Sequence, residues 1–439
     1  MRWRLLQCGA LAAGVACGGS DFFVCSEDAD CAGAGEQGIC QPAGACSVPD
    51  SECTSGQRYV EGSEPSLAED CVPAGEGSTG SAEGSTGTET DGTTGERCPE
   101  QWWDCAWAHR QRLGLVRTPD TPLTDVPVLV LLTQGRIDHE RMQADGEDLR
   151  FVSASGMPAS YEIERWNPEG ISTVWVTVDE LSASSDHLWM YYGNPVAENA
   201  QDSAQVWAAP FVGVWHLEDD PLDSTGNGND ASVLGSTAVA AAQIADGRDF
   251  MGTDARLDVE PSSSLADLFM GGGTISGWFR ARSYGGSGLG RIMDKGSLDA
   301  GWTLYIADSG QLRFIVEREA DDFVTWSTPS EELGLLQWTH VALSWDALQG
   351  SIPRVFIDGA ERPLVDPVPP PLLEELLPDE EVPLTFGNRV ANNRRFDGVL
   401  DELRIERTVR SPAWIRLQYE SMRDALLQYG PIESWEQLQ

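Results

Sequence analysis

The chain has 439 residues, 41% hydrophobic and 8% aromatic, which is enough apolar material for two sizeable cores plus tails. Lys and Arg total 29 against 70 Asp and Glu, and the formal net charge of -41 repels nucleic acid and anionic lipid surfaces, excluding nucleic-acid partners. Acidity of this size serves solubility in an extracellular setting or the capture of cations, and both readings are carried forward.

Arg2 and Arg4 precede an apolar run from Leu5 to Ala16, the length of a signal-peptide core and too short to span a bilayer, so residues 1–16 read as a secretion signal. Cys17 follows the small residues Gly14 to Ala16 and precedes Gly18-Gly19-Ser20. This arrangement resembles a bacterial lipoprotein cleavage and acylation site. It implies a chain anchored at the outer membrane or cell surface through lipid on Cys17, its only membrane contact. Of the 10 cysteines, Cys8 leaves with the signal and Cys17 carries the lipid. The remaining Cys25, Cys31, Cys40, Cys46, Cys53, Cys71, Cys98 and Cys105 form an even set, as expected for disulfides in an oxidising compartment. The first six of these allow fifteen connectivities. With no Cys-x-x-Cys pair, and five histidines scattered away from the cysteines, the spacing argues against a zinc site.

Residues 17–73 are short, polar and rich in Gly and Pro, so disulfides must hold them; they resemble Cys-rich leader modules of secreted bacterial proteins. Residues 74–97 are Gly, Ser, Thr and acidic residues with almost nothing to bury, a disordered tether whose root-mean-square span is about 25–30 Å.

Order resumes at Cys98. Strands are predicted at Arg112–Val116, Pro127–Leu132, Leu149–Val152, Ala159–Trp166, Ser172–Val178 and His187–Tyr192, spaced as in a β-sandwich over residues 98–198. The phrases DVPVLVLL, GEDLRFVSASG, SYEIERWN, STVWVTV and LWMYYGNP resemble an uncharacterised bacterial domain found before laminin-G-like domains in secreted proteins. That family carries no known activity.

After a connector at residues 199–209 comes a second predicted sandwich over residues 208–428. Trp302, Leu304 and Ile306 share a face, as do Leu312, Phe314 and Val316, and Val341, Leu343 and Trp345; together they make one wall of a core. The ordered phrases GVWHLEDD, GTISGWFRA, WTLYIADSGQLRFIV, LLQWTHVALSWD, PRVFIDGAE, PLTFGN and FDGVLDELRI resemble the laminin-G-like, concanavalin A-like jelly roll. The fold class expected is therefore all-β, two β-sandwich domains of which the second is a jelly roll. Pro367 to Pro383 reads as an exposed insertion, and Ser411-Pro412 opens a helix running to about Gln428.

In the closing strand, Val399, Asp401, Leu403 and Ile405 fall on one face and Leu400, Glu402, Arg404 and Glu406 on the other. Asp401 thus occupies an apolar slot, while Glu402, Arg404 and Glu406 read as a surface charge ladder. The loop Asp223 to Asp230 is rich in the oxygens calcium needs and resembles the Asp-x-x-Gly-Asn loop of laminin-G-like domains. The expected calcium ligands are Asp223, Asn227, Asn229 and Asp401, with calcium as the one cofactor expected. Trp166 and Trp326, both near loops, are the tryptophans expected to be exposed to a ligand. No nucleophile elbow, phosphate loop or zincin motif is present, and LDELRIE lacks the carboxylate order of jelly-roll glycosidases. The expected function is a non-enzymatic surface protein, its jelly roll binding carbohydrate or an extracellular protein in adhesion or recognition. The alternatives are a glycan-cleaving accessory enzyme and a structural envelope protein without a discrete ligand.

Overall fold

The computed structural model describes residues 31, 39–40, 45–50, 53, 57–60, 71, 99, 101–296, 300–318 and 322–435. The chain divides into two compact units, Met1–Thr94 and Gly95–Gln439. In the first, β1 (Ile39–Cys40), β2 (Cys46–Pro49) and β3 (Gln57–Tyr59) form an antiparallel sheet. Disulfides join Cys31 to Cys46 and Cys53 to Cys71. Cys17, Cys25, Cys98, the side chain of Cys40 and the tether at residues 74–97 lie outside the described residues. Cys105 is disulfide-bonded.

The second unit is four β-layers enclosing three cores. The outermost layer has the order β26 (Leu427–Ser434), β4 (His109–Leu115), β10 (His187–Tyr192), β6 (Arg150–Ser153), β7 (Pro158–Ala159). Next come β5 (Leu123–Thr133), β9 (Ile171–Leu181) and β8 (Tyr161–Arg165). Because side chains alternate across a strand, Val128, Val130, Val174 and Val176 fill the first core while Leu129 and Trp175 point to the opposite side.

The third layer runs β13 (Thr237–Ala240), β14 (Asp246–Asp249), β25 (Asp397–Glu406), β16 (Gly273–Ser283), β21 (Thr339–Trp345), β22 (Arg354–Ile357), β23 (Ala360–Arg362), with β11 (Phe211–Trp215) also on β25. The fourth runs β12 (Ala231–Leu234), β15 (Arg256–Val259), β24 (Leu384–Phe386), β17 (Leu289–Gly296), β18 (Gly301–Ala307), β19 (Leu312–Arg318), β20 (Asp322–Ser327). Trp302, Leu304, Ile306, Leu312, Phe314, Val316, Val341, Leu343 and Trp345 all enter the jelly-roll core between these two layers, as their alternation requires. The two sandwiches pack through the second and third layers. Two helices line the junction, the short α1 (Ser203–Val206) and α2 (Pro412–Met422). Trp175, Trp207, Phe211, Val214, Trp278 and Phe356 form this seam together with Trp414, Ile415 and Met422 of α2.

Helix α2 (Pro412–Met422) opens as its sequence predicts, with the Ser411 hydroxyl accepting from the Trp414 amide at 3.2 Å and Pro412 at the first position. It stops at Met422, short of Gln428, because Asp424 turns the chain through a left-handed conformation (φ 57°). Leu426 and Leu427 are then drawn into the first core, and β26 pairs antiparallel with β4, so the end of the chain completes the first sandwich. The proline-rich insertion is pinned from below by the chain's single lysine: the Lys295 ammonium is buried and donates to the Asp379 carboxylate at 2.9 Å.

Candidate functional site: a buried ionic seam and the cleft beside it

Strand β25 is the element both sandwiches are built against. Its N-terminal half pairs with β14 and its C-terminal half with β11. Between them lies a bulge, since Ser276 faces Arg404 but Trp278 faces Asp401, giving β25 one residue more than β16. Glu402 takes a positive φ of 51° there. The extra residue resets the alternation. Leu400, Leu403 and Ile405 enter the jelly-roll core, while Asp401, Glu402, Arg404 and Glu406 are buried outside it. The expected two-face assignment and the surface charge ladder are therefore corrected: a strict period of two does not survive a bulge, and no charged member of this strand from Asp401 to Glu406 is at the surface.

His216, directly after β11, lies beside Glu402, its Nδ1 2.6 Å from Oε1. From the first sandwich β8 brings Glu162, 3.3 Å from His216 Nε2, and Glu164, 3.8 Å from Nδ1. Every carboxylate has a second partner. The Trp175 indole N–H donates to Glu164 Oε2 at 2.7 Å, and those of Trp207 and Ser224 (its O–H) reach Glu162 at 2.5 and 2.9 Å. Arg404 donates to Glu402 at 2.6 Å and to Gln418 at 3.0 Å, with its guanidinium over the rings of Trp175 and Trp207. Three buried carboxylate oxygens, Glu164 Oε1, Asp401 Oδ1 and Glu406 Oε1, have no hydrogen-bond partner among the described residues.

Burial opposes charge on every member, and the neighbours decide the outcome. Burial lowers the pKa of His216, but Glu402, Glu164 and Glu162 together hold it well above its ordinary value. Burial raises Glu402 and Glu162, yet His216, with Arg404 on Glu402 and the hydrogen bonds on Glu162, keeps both below the usual carboxylate range. Glu164 goes the other way: burial, with Glu402 nearby, pushes it up to about 8 against the pull of His216. Asp401, buried beside Glu402, is raised well above its usual value. The ligand atoms of Glu164, His216 and Glu402 lie within 4.8 Å of one another, so these three residues could hold a metal ion.

Beside this cluster, where β5, β9, the 241–245 turn and the end of α2 meet, opens a cleft of about 660 Å³. Leu129, Leu131, Ile171 and Met422 give it an apolar floor, and Arg165, Asn167, Thr173, Gln243 and Arg423 supply polar groups. Arg165 pairs with Asp246 across the two sandwiches at 2.8 Å.

The residues predicted as calcium ligands are found in two places. Asp223 is buried, Oδ1 accepting from the amides of Val214 and Thr225 and Oδ2 from the Asn229 amide and the Thr225 hydroxyl. Asn229 donates to the Val212 carbonyl, and Asn227 to the Phe211 carbonyl and the Thr225 hydroxyl. Asp401 Oδ2 instead accepts from the amides of Gln243 and Ile244, at 3.0 and 2.8 Å. Its apolar-phase position is thus explained by the bulge.

Trp326 corrects the expectation of exposure. It is 1% exposed, stacked on Phe314 and donating to the Val368 carbonyl, because β20 turns it inward under the proline-rich insertion. Trp166 is half-buried, donating to the Ala144 carbonyl and edge-on to His139. Glu162, Glu164 and His216 escaped the sequence reading because the glutamate pair, His216 and Glu402 come from three separate parts of the chain. Their one sequence signal is charge inside the strand-like phrase YEIER, where Glu162 and Glu164 share a strand face.

Residues 252–416 match the Laminin_G_3 family, the concanavalin A-like lectin/glucanases superfamily. Residues 145–225 match DUF2341, a domain of unknown function. No curated protein matches the chain. Among solved structures, the chain is similar to the binding domain of Paraclostridial Mosquitocidal Protein 1, with 17% identity over 48% of this chain and 52% of that one and a TM-score of 0.39. It is also similar to the binding domain of botulinum neurotoxin DC in complex with rat synaptotagmin II, at 15% identity over the same shares and a TM-score of 0.39. The chain spans about half the length of these structures. The protein thus pairs a DUF2341 segment with a laminin-G-like, concanavalin A-like jelly roll.

Proposed function

We propose that the protein is a non-enzymatic, secreted binding protein that takes a neutral oligosaccharide in the cleft between its two sandwiches. The cleft carries this reading. At about 660 Å³ it has the size of a small-ligand site at a domain junction. Its floor of Leu129, Leu131 and Ile171 suits the C–H face of a sugar ring, and Asn167, Thr173 and Gln243 suit its hydroxyls. A net charge of -41 favours a neutral glycan over an acidic one. The disulfides at Cys31–Cys46 and Cys53–Cys71 support an oxidising compartment, and lipid on Cys17 would hold the chain at the cell surface. The non-enzymatic reading is supported by Glu402 and Glu406, the carboxylates on one strand, which are buried and engaged by Arg404 and Arg410.

The test is a glycan array with a reducing-end release assay on the purified protein, repeated with Ile171→Glu, which places a charge on the half-exposed cleft floor. Binding without release, weakened at least tenfold by the substitution, is expected. Release of reducing ends would make the protein an enzyme, and binding untouched by Ile171→Glu would move the ligand elsewhere. No binding to any glycan would leave a protein ligand or a structural role. Mass spectrometry of the mature N-terminus tests the anchor, which an unmodified Cys17 would overturn.

A further inference from the structure

We propose that Glu164, His216 and Glu402 form a binding site for one divalent first-row transition-metal cation, joining the two sandwiches through a shared ion. The three come from β8, the end of β11 and the bulge of β25, so a cation bound to them is ligated from both domain cores. Glu402 and His216 each have one polar atom held by an outer partner and one facing the other, while the Glu164 oxygen nearer His216 is the one the Trp175 indole holds and its second oxygen has no partner among the described residues. Glu164 Oε2 is held by the Trp175 indole, Glu402 Oε2 by Arg404, and His216 Nε2 faces the Glu162 carboxylate at 3.3 Å. A carboxylate behind the non-ligating ring nitrogen is the arrangement that fixes the tautomer and aim of a metal-bound imidazole. It leaves His216 Nδ1 and Glu402 Oε1 as the inward pair, 2.6 Å apart, with Glu164 as the third ligand.

A second observation points the same way. Glu164 Oε1 is a buried carboxylate oxygen with no hydrogen-bond partner among the described residues, on a side chain that is 0% exposed. An orphaned oxygen of this kind is costly to keep, and a cation satisfies it. Tetrahedral coordination with bonds of about 2.05 Å sets ligand atoms roughly 3.3 Å apart. His216 Nδ1 lies 2.6 Å from Glu402 Oε1 and 3.8 Å from Glu164 Oε2, and one ligand atom from each of the three lies within 4.8 Å of the others, so side-chain adjustment on the ångström scale brings them to that spacing. One imidazole with two carboxylates selects zinc-class cations over calcium, which prefers six to eight oxygens. On the Glu162 side, 14% of that side chain and 9% of His216 remain exposed.

The test uses the full, oxidised protein stripped with a chelator, then given equimolar Zn²⁺ and desalted, with retained metal measured by mass spectrometry and unfolding followed by calorimetry. About one zinc per chain and a raised midpoint are expected, with both lost in Glu164→Gln, which preserves the acceptor for Trp175. Circular dichroism and the metal-free midpoint of the variant show that it folds, so a loss of zinc is not a loss of structure. No zinc retained by the wild type, or equal retention by Glu164→Gln, overturns the site. Failure here leaves the cleft untouched, because glycan binding is read separately. Stabilisation by Ca²⁺ in place of Zn²⁺, unaffected by Glu164→Gln, would also overturn it and point to the Asp223 loop.

Discussion

The two sides of strand β25 are built on opposite principles. One side carries Leu400, Leu403 and Ile405 into a jelly-roll core that is apolar throughout. The other carries Asp401, Glu402, Arg404 and Glu406 into a seam where they meet His216, Gln418 and Arg410 beside the edge-on rings of Trp175 and Trp207. An apolar core is non-directional, so any chain with the right volume and alternation fills it. A buried ionic seam adds less net stability, since desolvation offsets most of the attraction, but it accepts a single pairing. The jelly roll therefore stands on its own hydrophobic burial, while the seam decides which face of the first sandwich it accepts.

Four measurements of unfolding sharpen that contrast, and a fifth marks its outer limit. The largest effect is expected from ending the chain after Ala425. This removes β26 and the two leucines it brings into the first core, worth about 1.5–3 kcal/mol each. The first sandwich should then melt separately from, and well below, the jelly roll; a single unchanged transition would show that β26 is dispensable. Arg404→Ala should cost about 3 kcal/mol by leaving the buried Glu402 with His216 as its one remaining ionic partner. The paired change Glu402→Gln with Arg404→Met should cost less than Arg404→Ala alone, and if it costs more the seam contributes stability as the core does. On the other face Leu403→Ala should cost about 2–5 kcal/mol, with no such recovery by a partner.

His340 provides the next, smaller effect. Burial, with Arg404 nearby, lowers its pKa to about 3, and neither ring nitrogen has a hydrogen-bond partner among the described residues. Above the ordinary histidine value both native and denatured states are neutral there. As pH falls from about 6.5 towards 3 only the denatured state takes up the proton, so stability drops by about 1.4 kcal/mol per pH unit from this group. His340→Phe should flatten the acid limb of the stability curve by that slope, and an identical limb would show that His340 charges in the native state. The smallest effect is expected from Arg354→Ala. It removes a pair with Glu361 in which both side chains are about two-fifths exposed, and should change stability by less than about 0.5 kcal/mol.

The fold was legible where the physics is local. Alternating apolar residues in WTLYIA, LRFIV and THVALSW assign their own faces, and Ser411-Pro412 announces a helix start without reference to anything distant. What the sequence did not disclose depends on geometry that one residue can change. A single extra residue at Glu402 reverses the facing of half a strand, so Asp401 looked out of phase when it is in register with a bulge. Trp326 looked exposed because the segment covering it arrives from some forty residues later in the chain. The seam cluster was invisible for a related reason: Glu162, Glu164, His216 and Glu402 have no fixed spacing, and only the stacking of two sandwiches brings them together. Only Glu162 and Glu164 are neighbours in sequence, and two glutamates on one strand face do not by themselves announce a site.

The return of β26 to β4 has a bearing on how the chain can be made. His109 lies opposite Ser434, so the first strand of the globular unit waits for β26, which follows the whole jelly roll in the chain. In a chain emerging N-terminus first, the strands of the jelly roll all precede β26, so the earlier sandwich must stay open until Leu427 to Ser434 arrive. The sandwich whose residues appear first in the globular unit is thus the last part of it to close.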